Sequence, residues 1–114
     1  MELQISARDG ATVVTVAADR IDAAGAIQFK DRMREATRGG TARVALDLAQ
    51  VQFVDSSGLG AIVAAMKLLG PDRNLELAAL TPTVWKVFRL TRMDTVFAIH
   101  DHVEAAFGDA AKAS

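Results

Sequence analysis

The sequence predicts a single α/β domain with a mostly parallel central sheet, and three observations predict it. Runs that alternate apolar and polar residues take turns with runs whose apolar residues recur at three- and four-residue steps. Two strand-like runs at the start are divided only by Asp9-Gly10, a hairpin signal. The chain has 114 residues, of which 51% are hydrophobic and 24% charged, enough for one buried core and too little for two.

Taken in order, Leu3, Ile5 and Ala7 alternate with Gln4 and Ser6, so the first strand is expected to bury one face. Thr12-Val13-Val14-Thr15-Val16 is a β-branched partner strand, giving an antiparallel N-terminal hairpin. Ala26, Phe29, Met33 and Ala36 then mark an amphipathic helix, capped by Asp22 and ended by Gly39-Gly40. Val44, Leu46 and Leu48 alternate with Arg43, Ala45 and Asp47 in a third strand. Leu59, Ile62, Val63, Met66 and Leu69 form the stripe of a second helix, stopped by Gly70-Pro71.

Leu75, Leu77 and Ala79 mark a fourth strand. Thr81-Pro82 places an N-cap before a proline at the first helical position of a third helix, whose stripe is Val84, Val87, Phe88 and Thr91. Val96 to Ile99 reads as a last short strand, and a fourth helix carries Val103, Ala106 and Phe107. In that helix Asp101 is the expected cap and Glu104 the expected partner in a capping box. The domain is expected over residues 1–110, with residues 111–114 a frayed tail.

Composition excludes several classes of function. Thirteen Lys and Arg stand against fourteen Asp and Glu, a net charge of −1 with no basic block. Direct nucleic-acid binding is therefore not expected. The absence of cysteine excludes a disulfide framework, a thiolate metal site and a cysteine nucleophile. The longest apolar run, Ala61 to Met66, is far below the roughly 18 residues of a membrane span. Met1-Glu2-Leu3-Gln4 lacks the basic flank and apolar stretch of a secretory signal. A soluble cytoplasmic protein without membrane insertion is expected.

Chemistry concentrates in Asp55-Ser56-Ser57-Gly58-Leu59-Gly60, where a hydrophobic strand turns into an apolar helix. Two hydroxyls and a carboxylate fall at a helix start, where free N–H groups and the helix dipole favour negative charge. Such a place suits a phosphate, bound or covalently attached. Gly58 is expected to let a partner approach the backbone closely, and Gly60 to keep the first turn slim. Serine and aspartate are also common N-caps, so capping alone explains one of these residues. Three in a row exceed what a cap requires.

This run resembles the phosphorylation loop of STAS-domain anti-sigma factor antagonists, and the likeness in element order and length covers nearly the whole chain. By that resemblance Ser57 matches the phospho-acceptor. Asp55 and Ser56 match flanking residues that shape the loop and meet the partner, with Gly58 and Leu59 continuing that surface. Asp22, in Arg20-Ile21-Asp22, matches an aspartate near the same surface. The resemblance implies a STAS-like fold and a partner-switching circuit. The unphosphorylated form would bind an anti-sigma factor serine kinase and free the sigma factor. The kinase's own ATP would phosphorylate Ser57, a serine phosphatase would reverse it, and this chain would be no enzyme and need no cofactor. STAS-like domains also serve as accessory subunits on the cytoplasmic face of membrane transporters and in stress-signalling complexes, which is the alternative expectation.

Two rival chemistries find less support. Nothing in the sequence brings His100 or His102 to Ser57, and Asp55-Ser56-Ser57-Gly58 lacks the glycine two positions before the nucleophile of a hydrolase elbow. His100 and His102 are two residues apart, a spacing that turns helical side chains to different faces and suits no shared metal ion. Trp85 flanks the third helix's apolar stripe and is expected to be partly buried, while Lys86, Arg89 and Arg92 form a solvated face. Met33 and Met66 fall on helical stripes as core filler.

Overall fold

The computed structural model describes residues 1–8 and 10–105. In chain order the elements are β1 (Leu3–Arg8), β2 (Ala11–Val16), β3 (Arg20–Ile21), α1 (Ala23–Ala36), β4 (Arg43–Asp47), β5 (Phe53–Val54), α2 (Ser56–Leu69), β6 (Asn74–Ala78), α3 (Pro82–Leu90) and β7 (Ile99–His100). Five strands make one sheet in the order β1-β2-β4-β6-β7, while β3 and β5 pair by themselves. The β1–β2 hairpin is antiparallel and every other pairing is parallel. The chain turns helical again at residues 103–105. The expected α/β class and mostly parallel sheet are both present.

Alternation along the strands sorts side chains to two faces. Val14, Val16, Val44, Leu46, Leu75 and Leu77 point to one face, where Phe29, Met33, Ile62 and Phe88 from the helices complete the main core. The opposite face holds a smaller cluster of Ala11, Val13 and Ala45, with Val103 packed against it. The central strands β2 and β4 are therefore apolar on both faces, as strands covered from two sides must be. Among the described residues no helix is long and apolar enough to cross a membrane.

Several expectations need correction. β1 forms, but without a buried face: Leu3 is half-buried and Ile5 and Ala7 are exposed, because among the described residues β1 is the edge strand. The short strands β3 and β5 had no alternation long enough to announce them. Helix α1 ends at Ala36, and the chain turns away just beyond it at Gly39, whose φ of 60° is left-handed; the Thr37 hydroxyl donates to the Met33 carbonyl at 2.7 Å. In α2 the buried stripe is Gly58, Ala61, Ile62, Ala65 and Leu69, leaving Leu59, Val63 and Met66 half-buried on its flanks. Small residues face inward there because α2 packs closely.

The C-terminal part shifts as well. β6 stops at Ala78, since Ala79 adopts a left-handed φ of 62°. Thr81 occupies the N-cap position of α3, but its hydroxyl donates to the Val51 carbonyl at 2.8 Å and caps nothing. Instead of a strand over Val96 to Ile99, a 3-10 turn spans Met93–Thr95 and the strand is Ile99–His100. Phe97 is buried edge-on against Phe88 with ring centroids 6.1 Å apart, and Val96 is exposed. His102, not Asp101, caps the helical turn at residues 103–105, its Nδ1 accepting from the Ala105 N–H at 3.1 Å. Ala106, Phe107 and the expected tail lie outside the described residues. Trp85 is half-buried under the Arg89 guanidinium, and Lys86, Arg89 and Arg92 are exposed, as expected.

One polar cluster crosses the second face of the sheet. Arg43 donates two hydrogen bonds to Glu76, at 2.8 and 3.0 Å, and His100 Nε2 lies 2.8 Å from the same carboxylate. These bonds, Arg43's foremost and then His100's, hold the Glu76 carboxyl below the usual carboxylate range. A depressed folded-state pKa means the charge stabilises the fold above the unfolded value and stops doing so as pH falls through the folded one. We expect Glu76→Gln to cost about 1–3 kcal/mol at neutral pH. That deficit should shrink from about pH 4 downward, where the wild-type carboxylate is progressively protonated. Urea denaturation of both proteins at neutral and acidic pH measures this; a deficit that is the same at every pH contradicts the assignment.

Candidate functional site

The segment from Asp55 to Gly60 sits where β5 hands over to α2, beside the start of α1. Two carboxylates organise it. Asp22, N-cap of α1, accepts from the Gly25 N–H at 3.1 Å. Asp55, N-cap of α2, accepts from the Gly58 N–H at 2.8 Å through Oδ1. Its other oxygen, Oδ2, accepts from the Ala23 N–H of α1 at 3.2 Å. Asp55 thus ties both helix starts together with one side chain, each oxygen satisfying a donor that the helices cannot satisfy internally.

Gly58 is buried, and a Cβ at that position would lie 1.9 Å from the Ile21 carbonyl oxygen and 2.7 Å from its carbon. The first turn of α2 therefore rests on the backbone of β3. This corrects the expectation that Gly58 opens the backbone to a partner: its bare face is taken by the protein's own Ile21. Of the two glycines, Gly60 is the one with open space beside it, since a methyl group added there would meet nothing within 4 Å outside its own helix. Leu59 is half-buried against the core.

Ser56 and Ser57 are both exposed at the first two positions of α2. Their N–H groups belong to the helix's unpaired first turn. Helical spacing separates the two hydroxyls. Ser57 shares a face with Ala64 and Leu68, seven and eleven residues on. Those two residues, with Lys30 and Arg34 of α1, line a shallow cleft of about 70 Å³ between the helices. Ser57 is thus on the side of α2 that faces α1, about two helical turns before that cleft, and Ser56 lies about 100° further round the helix. Charge added at Ser57 meets two helix N-termini, which favour it, and two fixed carboxylates, Asp22 and Asp55, which oppose it.

Sequence reasoning missed two residues here. Phe53 is 44% exposed although aromatic, and Arg20, its partner across the β3–β5 pair, places its guanidinium 5.8 Å from the ring centre. Arg20 also approaches Asp22 at 3.8 Å. No sequence signal marks this pair, because β5 has only two residues and shows no alternation; the outward turn of Phe53 beside the buried Val54 is seen only in the fold. His100 is engaged with Glu76 on the sheet and His102 caps a helical turn, so each has a role away from the serines.

A family model for the STAS domain matches residues 2–106. The chain belongs to the STAS domain family. A curated relative, the anti-sigma-B factor antagonist of Staphylococcus epidermidis, is 30% identical over 66 residues, covering 57% of this chain and 61% of the relative. This STAS domain therefore aligns with less than two thirds of that relative's length. Its fold matches the crystal structure of an anti-sigma factor antagonist from Mycobacterium paratuberculosis with a TM-score of 0.84 at 23% identity, over 95% of this chain and 92% of the other. It also matches a sulfate transporter family protein from Wolinella succinogenes, with a TM-score of 0.76 at 11% identity, over 96% and 93% of the two chains.

The two glycines now separate by experiment. Gly58→Ala should destabilise by about 1–3 kcal/mol or more, because the Ile21 carbonyl must move. Gly60→Ala should stabilise by about 0.5–1 kcal/mol, by removing backbone freedom from a helical position with room for a methyl group. Thermal melts of the two variants check the pair; equal effects contradict the packing described.

Proposed function

We propose that this STAS domain is an anti-sigma factor antagonist switched by phosphorylation of Ser57. Unphosphorylated, it docks its α1–α2 end on an anti-sigma factor serine kinase and frees the sigma factor. Ser57 Oγ then attacks the γ-phosphorus of ATP bound to that kinase, its proton passes to a base on the kinase, and ADP leaves. The phosphoserine ejects the domain, and a serine phosphatase hydrolyses it to restore the docking form. In this circuit the domain is a substrate and a binding surface; it catalyses no step and holds no cofactor of its own.

The observation that carries the reading is the placement of Ser57. It is an exposed hydroxyl on a helix start that Asp55 fixes to its neighbour. A kinase can reach it without unfolding anything. A phosphoryl group there brings about −1.5 to −2 charge beside Asp22 and Asp55, whose oxygens are held in backbone hydrogen bonds. Free in solution, the helix N-termini and water accommodate that charge. Against a docked partner it loses the water, and docking weakens. Phe53, Arg20 and Ser56 supply the exposed aromatic, cation and hydroxyl around the serine that such an interface uses. The antagonist named among the sequence relatives favours this circuit over the transporter role, for which the likeness is one of fold.

The test is incubation of the domain with a cognate kinase and ATP, followed by intact-mass and peptide mass spectrometry. One phosphoryl group mapped to Ser57, and none on Ser57→Ala, is the expected result. Modification of Ser57→Ala to the same extent overturns the assignment. Ser57→Asp should weaken kinase binding by about 1–3 kcal/mol in calorimetry while Ser57→Ala binds as tightly as the wild type. Capture with a membrane transporter and no modification by any kinase supports the alternative instead.

A further inference from the structure

Among the described residues, the hairpin leaves β1 as an open edge of the main sheet. The Ala17 N–H donates to the Glu2 carbonyl at 2.9 Å, which fixes the alternation along the strand. Glu2, Gln4, Ser6 and Arg8 turn their backbone groups toward β2, and Leu3, Ile5 and Ala7 turn theirs outward. Natural edges are commonly blunted by proline, lysine or a bulge. Leu3–Arg8 has no proline or lysine, pairs residue for residue with β2, and carries at its centre an isoleucine that is 55% exposed.

The geometry points to a second copy of this chain as the partner of that edge: β1 pairs antiparallel with β1 of the other copy about a two-fold axis through Ile5. In this register Ile5 faces Ile5, and Leu3 and Ala7 face one another in both directions. All three positions present outward N–H and C=O groups, so six backbone hydrogen bonds form. The other face of the strand selects the same register by charge. Glu2 stands three residues before Ile5 and Arg8 three after it, so each carboxylate meets the other copy's guanidinium. Arg8 already lies 3.8 Å from Glu104 of its own chain, and the second carboxylate joins it from across the axis. A slip of two residues in either direction separates Glu2 from Arg8, and a slip of one sets inward-bonded groups against outward ones. The result is a continuous ten-stranded sheet, twice the five strands of one copy. Such a particle carries two Ser57 sites.

Sedimentation of the full chain at concentrations up to about 1 mM tests this. The expected species has twice the 12.1 kDa mass of one chain. Ile5→Lys, which sets two ammonium groups against each other on the axis at an exposed position, should return the monomer with an unchanged thermal melt. The double variant Gln4→Cys, Ser6→Cys adds a register-specific readout. These residues oppose one another across the axis at non-hydrogen-bonded positions, about 4.5 Å apart at Cα, within disulfide reach. The wild-type chain has no cysteine, so an oxidised, covalent dimer on a non-reducing gel reports this pairing alone. A single-chain mass at every concentration, a dimer that survives Ile5→Lys, or a double variant that forms no covalent dimer overturns the proposal.

Discussion

The first turn of α2 rests directly on the carbonyl of Ile21, and the rest of the site follows from that contact. It is possible only because residue 58 has no side chain: any Cβ there would lie 1.9 Å from the carbonyl oxygen. With the helix so close to β3, the Asp55 carboxylate reaches both the α2 start and the Ala23 N–H of α1. One side chain then holds two helix N-termini at one end of the molecule. The serines that follow Asp55 are exposed yet anchored, which is what a modification site that acts on docking requires. A flexible loop in their place would let the added charge swing into solvent and lose its effect on a partner.

Burial and electrostatics divide the labour between the two faces of the sheet. The helix-covered face carries the large apolar core of valines, leucines and aromatics from β2, β4, β6 and helices α1, α2 and α3. The second face is mixed, with a small alanine and valine cluster beside the Arg43–Glu76–His100 group. Its charges lie on the strands, remote in sequence from the Asp55 turn, and their partners are one another. The charged residues of the site are equally self-contained: Asp55 spends both oxygens and Asp22 one on backbone donors, and Arg20 lies between the other Asp22 oxygen and the Phe53 ring. A new anionic group at Ser57 therefore changes the surface the site presents while the hydrogen bonds that shape it stay in place.

Much of this was legible in the sequence where a local rule operates without competition. Asp22 and Thr81 stand at the N-cap positions expected for helix starts, and the stripe of α1 through Ala26, Phe29 and Met33 is buried as its period requires. What escaped depends on tertiary contact. Gly58 reads the same whether its bare face meets a partner or the protein's own backbone, and only the distance to Ile21 decides. Ile5 alternates as a half-buried strand should, but an edge position leaves it exposed. Two-residue strands such as Arg20–Ile21 and Phe53–Val54 are too short to show a period, so their pairing, and the exposure of Phe53 it entails, stayed hidden. His102 replaced Asp101 as a cap because either residue type can accept an N–H there, and the end of β7 set the register.

The central claim is that charge on one anchored hydroxyl controls docking while the fold stays as it is. The most direct measurement is the affinity of an anti-sigma factor kinase for the domain carrying phosphoserine at position 57, compared with the unmodified domain, with amide spectra recorded on both. The account predicts at least a tenfold loss of affinity, the equivalent of about 1.4 kcal/mol, with spectral changes confined to the neighbourhood of Asp22, Phe53 and the start of α2. Equal affinities, or a phosphorylated domain whose spectrum has changed throughout the sheet, would contradict it.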